Sequence, residues 1–333
     1  MSPRLLTSMI ASIMFAMSAA CAPTFAISDQ ARSLRIDVGG LKLNSILLQP
    51  GPKADLPPIV FIHGASTSLY DPMLSFRRKL EGRAKLLFLD RPGHGNSDAG
   101  AAANILPDAQ ADAIATLMER RGIRRAIIVG HSLGGSIAAA LAVRHPDRVA
   151  GLVFLSPAAY PWKGGVAWYY GAAAAPITGT LFSGIIVPPL GLVAIDRAAR
   201  EVFSPNQPPA NYAHETRALH ALRPAAFRHN AREVSSLSEW AKTASLEYRT
   251  IKAPTLIITG DADRIVSPDV HARHLASDIK DSKLIVVHNL GHKSDYVASD
   301  LAIAAIETVA GRKPHLIAIA RSVERRIAAD GKD

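Results

Sequence analysis

Six short, mostly apolar runs, at 59–62, 86–89, 126–129, 152–155, 255–259 and 284–287, constrain this chain more than any other feature. A strand with one wet face alternates apolar with polar residues, whereas uninterrupted apolarity marks a strand buried on both faces, as in a parallel sheet. Between the runs lie segments with helical spacing. In 108–121 the apolar residues at helical spacing include Ala111, Ile114, Ala115, Leu117 and Met118, and 136–144 and 269–276 read likewise. Such alternation implies right-handed crossovers and helices on both sheet faces. Two further β-like runs, 34–38 and 41–48, flank Gly39-Gly40, which supplies the positive φ of a hairpin turn. The expected class is α/β, with a mostly parallel central sheet.

One stretch breaks the alternation. From 157 to 248 no convincing buried strand occurs, and an apolar block covers 166–195. Pro176, Pro188 and Pro189 argue against a continuous membrane span there. We expect a helical insertion that closes over the sheet edge with an apolar inner face. The chain then divides into 1–26, a core in two parts (27–156 and 249–311), the insertion 157–248, and an extension 312–333. The first segment has one charge, Arg4, an apolar run over 5–20, and small residues at Thr24 and Ala26. This is the pattern of an export signal cleaved after Ala26, so a periplasmic or secreted location is expected. Lipid attachment at Cys21 is the competing outcome. In the extension, Leu316, Ile317, Ile319, Ala320, Val323 and Ile327 oppose Arg321, Arg325 and Arg326. That amphipathic helix is expected to pack on the domain, with membrane contact as its alternative.

Composition removes several classes. With 48% hydrophobic and 20% charged residues the chain is not disordered. Cys21 is the only cysteine, so an internal disulfide framework and a cysteine zinc site are excluded. The net charge of +10 comes from scattered clusters such as Arg77-Arg78-Lys79 and Arg120-Arg121, read as solvated faces. No aromatic and basic array for nucleic acid is present, and no phosphate-cradling loop.

The chemistry begins directly after the run 126–129, with Gly130-His131-Ser132-Leu133-Gly134 and a helix. A G-x-S-x-G between strand and helix holds its serine in a strained turn above the sheet. The glycines permit the tight crossing, and the helix amino terminus brings amides to the serine. The Leu133 N–H can then face a developing oxyanion. A serine nucleophile also needs a base, an orienting acid and a second donor. Each has a candidate after a strand, where open α/β sheets place their sites. His63-Gly64-Ala65-Ser66 offers the Ala65 N–H, with His63 stabilising the loop. Gly260-Asp261-Ala262-Asp263 offers Asp263, with Asp261 competing. Leu290-Gly291-His292 offers His292, freed by Gly291 to swing over the sheet edge. Asp295 reads as a surface or capping group, His271 and His274 as solvated or capping. Trp162, Trp168, Tyr169 and Tyr170 serve either an acyl pocket or core packing.

These landmarks, with the loop Asp90-Arg91-Pro92-Gly93-His94-Gly95-Asn96-Ser97, resemble the α/β-hydrolase superfamily over roughly residues 35–310. The resemblance is to its serine-nucleophile branch with a helical cap, esterase- or lipase-like. It implies that the loop 90–97 shapes the site without doing chemistry, with His94 structural. It also disfavours dehalogenase and epoxide-hydrolase activities, which use an aspartate where this chain has Ser132.

The expected function is hydrolysis of a small carboxylic ester with an apolar part. Ser132, His292 and Asp263 form the triad, the Ala65 and Leu133 amides form the oxyanion hole, and no metal or organic cofactor is required. Amide, thioester or carbon–carbon hydrolysis and perhydrolysis are the alternatives on the same residues. A non-catalytic binding protein on the same scaffold is the alternative of another class.

Overall fold

The computed structural model describes residues 32–330; the expected export signal and Cys21 lie outside them. Eight strands, β1 (Leu34–Asp37), β2 (Lys42–Leu48), β3 (Ile59–Ile62), β4 (Leu86–Leu89), β5 (Ala126–His131), β6 (Val149–Leu155), β7 (Thr255–Gly260) and β8 (Ser282–Val287), form one sheet. Their order is β1-β2-β4-β3-β5-β6-β7-β8. Only the β1–β2 and β2–β4 pairings are antiparallel. β3, β4, β5 and β7 are buried at every residue, the physical reason for their uninterrupted apolar runs.

Helices α1 (Tyr70–Leu80), α2 (Pro107–Arg120) and α3 (Leu133–Arg144) precede a helical insertion. The insertion contains α4 (Trp168–Ala174), α5 (Thr178–Leu181), α6 (Val187–Phe203), α7 (Tyr212–Glu215) and α8 (Pro224–Ala244). α9 (Ala272–Asp278), α10 (Ser294–Val297), α11 (Ser299–Val309) and α12 (Leu316–Asp330) complete the chain. α2, α3 and α9 pack their apolar residues into one core layer. α1, α11 and α12 pack into the layer on the other face. α12 spends Ala320, Val323 and Ile327 on that second layer, as its amphipathic pattern predicts.

Two expectations need correction. α3 starts at Leu133, three residues before the predicted segment, with Gly134 and Gly135 in its first turn. Glycine is a poor helix former, but a Cβ at Gly134 would lie 2.2 Å from the Ile62 carbonyl oxygen, so close packing overrides propensity. The insertion, moreover, does not turn its apolar block inward. Trp168, Ile177, Leu181, Ile185, Leu190, Leu192 and Val193 are all more than half exposed. Its buried contacts with the core come from α8 instead, from the apolar Leu237, Trp240 and Ala241 and from the polar Asn230 and Glu233.

Candidate active site

The turn after β5 holds Ser132 at φ 53° and ψ −122°, a region that L-residues occupy only when the surroundings impose it. The surroundings are explicit. The Ser132 amide donates to the Leu155 carbonyl at 3.0 Å, and its own carbonyl accepts from Gly135 at 2.9 Å and Ala158 at 3.1 Å. A side chain at Gly130 would lie 2.5 Å from the Gly134 carbonyl oxygen, so strand and helix cross as closely as the motif requires. Ser132 is nevertheless 9% exposed, at the carboxyl edge of the sheet.

Across from it, His292 follows β8 and is buried. Its Nδ1 lies 2.8 Å from Asp263 Oδ2. Asp263 Oδ1 accepts from the Ile265 and Val266 amides, both at 2.9 Å. Burial pushes the Asp263 carboxyl up, but His292 and the two amides outweigh it and hold it below the usual carboxylate value. Asp261 is elsewhere, bonded to the exposed His288 ring at 2.7 Å. Among the described residues no hydrogen bond joins Ser132 Oγ to the His292 ring. The two are connected through the elbow itself, because His131 Nε2 donates to the His292 carbonyl at 3.0 Å.

The loop after β3 approaches the serine closely. A Cβ at Gly64 would lie 3.1 Å from Ser132 Cβ. The Gly64 carbonyl faces away, accepting from Arg91 Nη2 at 3.1 Å and Thr67 Oγ1 at 3.2 Å, with His63 Nδ1 at 2.8 Å. A trans peptide points its N–H opposite its C=O, so pinning this carbonyl aims the Ala65 amide the other way. The Leu133 amide, first in α3, has no intrahelical acceptor. The five predicted site residues are thereby accounted for: Ser132 and Leu133 at the elbow, Ala65 in the adjoining loop, His292 and Asp263 paired beyond the sheet edge.

Several residues around the site escaped the sequence reading. α8 sends Asn230 to the Ser66 amide at 2.8 Å and to Ser66 Oγ at 2.9 Å. It also sends Glu233 to Arg91 Nη1 at 2.8 Å and His94 Nε2 at 2.7 Å, with Gln110 Nε2 at 2.6 Å. One helix therefore holds both neighbours of Ala65, directly at Ser66 and through Arg91 at Gly64. Burial, helped by Arg91, holds the His94 ring down to about 4 despite Glu233, so its structural reading fits the geometry. Asp295 is not at the surface. It is buried against Lys293 at 2.9 Å, while Asp71 lies 2.8 Å from the same ammonium and accepts from Tyr212 Oη. His271 is likewise buried, accepting from the Tyr160 amide at 3.0 Å. Of the aromatic quartet, Trp168 is 74% exposed, whereas Tyr170 reaches Ser66 Oγ at 3.3 Å.

Comparison with known proteins follows the same lines. A family model described as alpha/beta hydrolase fold matches residues 57–294. A 2-hydroxy-6-oxononadienedioate/2-hydroxy-6-oxononatrienedioate hydrolase of Klebsiella pneumoniae is 26% identical over 286 residues, 81% of this chain and 91% of that protein. Lipase 3 of a Moraxella species is 26% identical over 247 residues, 71% of each. A solved bacterial membrane phospholipase A superposes with a TM-score of 0.67 at 23% identity, covering 85% of this chain and 88% of that one. The chain spans only 36% and 27% of the length of two other curated relatives.

Proposed function

Because the chain belongs to the alpha/beta hydrolase fold family, we propose that it is a serine hydrolase that cleaves a carboxylic ester with an apolar part. The observation that carries this reading is the strained Ser132 turn facing Gly64, with an Asp263–His292 pair already formed beside it. In the proposed reaction His292 Nε2 takes the Ser132 proton as the hydroxyl attacks the acyl carbonyl. Asp263 keeps the Nδ1 proton in place and stabilises the imidazolium. The Ala65 and Leu133 amides receive the oxyanion, and one such donor is worth about 2.7–4 kcal/mol. His292 returns the proton to the leaving alcohol, and water then hydrolyses the acyl-enzyme by the same steps. The Ser132 hydroxyl closes onto His292 as substrate displaces water, since catalytic hydrogen bonds tighten in the Michaelis complex. Residues 1–26 act in this proposal as an export signal, so that the enzyme works outside the cytoplasm.

The Klebsiella relative favours a second reading, carbon–carbon bond hydrolysis on the same residues. The Moraxella lipase favours the ester. Ser132→Ala tests the common core of both. Turnover of a short p-nitrophenyl ester should fall by about 10⁴-fold or more with an unchanged melting temperature. Retained turnover refutes the nucleophile. A panel setting esters against vinylogous diketo acids then separates the two bonds.

A further inference from the structure

The cap carries an apolar stripe that the chemistry at Ser132 does not use. From Gly164 to Ile195 the sequence has no Asp, Glu, Lys or Arg. Overlapping it, Thr178–Phe203 is a continuous helix of 26 residues, and only 17% of its most apolar 18 residues is buried. Leu181, Ile185, Leu190 and Val193 continue the line begun by Ile177 just before the helix. They are 63%, 64%, 62% and 87% exposed, and Ile177 is 81% exposed. The steps of four and three are those of one helix face. The single step of five, from Ile185 to Leu190, starts inside the π turn Phe182–Ile186, and Leu192 beyond it is also 60% exposed. Trp168, in edge contact with Phe182, extends the same patch.

The helix is long and apolar enough to cross a bilayer, but it is tied to the domain at both ends. Near its start, Arg228 of α8 donates to Thr180 Oγ1 at 2.6 Å and to the Pro176 carbonyl. At its end Phe203 is fully buried between Tyr212 and Tyr296. There the Phe203 and Ser204 carbonyls press on Gly291, beside His292. A helix fixed this way can lie in an interface and cannot cross it.

We propose that this face docks on an anionic lipid surface. Lipid tails ask for no hydrogen bonds, and the stripe offers only methyl groups and satisfied helix backbone. A protein partner of ordinary interface chemistry would need about one hydrogen bond per 100–200 Å². The first charges beyond the stripe are Lys163 on one side and Asp196, Arg197, Arg200 and Glu201 on the other, all exposed and summing to +1, with Arg197 paired to Glu201, on a chain of net charge +10. An apolar, tryptophan-bearing centre on a strongly basic chain complements anionic headgroups over acyl chains. Val193 lies about 15 Å along the helix from Phe203, at 1.5 Å per residue, so the docked surface would sit above the His292 side of the site.

The test uses the full chain and vesicles of phosphatidylcholine with or without phosphatidylglycerol, reading the emission of Trp168 against a Trp168→Phe control. This readout reports the cap even if the amino-terminal segment also meets lipid. Anionic vesicles should shift the emission to the blue. In the Leu190→Glu/Val193→Glu variant, apparent affinity should fall on the order of 100-fold, as two apolar side chains no longer enter lipid. Both positions are exposed, so short-ester turnover should stay within about twofold of wild type. No blue shift with any vesicle overturns the proposal, as does an equal shift in the variant. A dimer that dissociates in the variant, without vesicle binding, also overturns it and assigns the face to a second copy. Failure of the Ser132 reading would appear separately, as absent ester turnover with the lipid shift intact.

Discussion

α8 buries Asn230 and Glu233 to 2% and 1% exposure, whereas the Thr178–Phe203 helix of the same cap leaves Val193 87% exposed. The first element presents hydrogen-bonding groups to the catalytic domain, and Asn230 and Glu233 both find partners there. The second presents methyl groups to the outside and has almost none of them covered. Binary patterning normally places apolar residues inward and polar residues outward. α8 keeps an ordinary apolar face in Leu237, Trp240 and Ala241 but adds buried polar groups, whereas the long helix turns its apolar face outward, and each departure needs its own physical reason. For α8 the reason is a loop whose carbonyls and amides must be held in one orientation. For the long helix we infer an apolar surface from elsewhere. The elements meet at Arg228, which belongs to α8 and fastens the start of the long helix.

The comparison breaks first at Glu233. Removing it leaves the Arg91 guanidinium charged and fully buried, with Gln110, the Gly64 carbonyl and His94 Nε2 as its remaining partners. Truncating one member of a buried ion pair typically costs about 3–5 kcal/mol. Glu233→Ala should therefore lose about that much stability in urea unfolding. A loss below about 1 kcal/mol would show that α8 is not the pillar described above.

Asn230 gives the finer test. It touches no reacting atom in the proposed mechanism, but it anchors the Ser66 amide next to Ala65. If it positions the oxyanion donor, Asn230→Ala should lower kcat by roughly 10-fold with little change in KM, the signature of an interaction made in the transition state. A boronic acid mimic of the tetrahedral state should weaken by the same factor, while a ground-state acid product should not. Equal weakening of both would reduce Asn230 to a packing residue.

The halves of the cap also differed in how far sequence could read them. The sheet was legible almost to the residue, because strands 59–62 and 86–89 are buried on both faces and leave no polar alternation to confuse the eye. The positions of Ser132, Asp263 and His292 were legible because each follows a strand by a short, glycine-marked turn, although β8, before His292, is a half-exposed edge strand. Arg91 and Glu233 were not, since 142 positions separate them and each alone resembles a solvated charge. Composition announced the apolar block but not its direction, because periodicity records which residues share a face and not what that face meets. Asp295 and His271 misled for a related reason. Their burial is set by Lys293 and Tyr160, partners that no local spacing reveals.

The smallest effect expected is a pH dependence set chiefly by buried histidines of the α8 side and the sheet edge, among them His94 and His271. His94 and His271 are held down to about 4, chiefly by burial, against 6.5 for the free side chain. The unfolded chain therefore binds protons below about pH 6.5 that the folded chain refuses until near 4. Stability is fully present above that range and declines as pH falls through it, each such histidine contributing a slope of up to about 1.4 kcal/mol per pH unit. Urea unfolding between pH 5 and 8 should show a plateau at the alkaline end and a fall toward pH 5, with a shallower fall in His94→Gln. The Thr178–Phe203 stripe behaves differently, because 164–195 contains no titratable Asp, Glu, His or Lys. The Trp168 response to anionic vesicles should consequently hold steady over pH 6.5–8, where both histidines stay neutral and the fold is at full stability. A vesicle response that instead tracked the unfolding curve would mean the stripe is presented only as the α8 side loosens, and the two arms of the cap would have to be treated as one element.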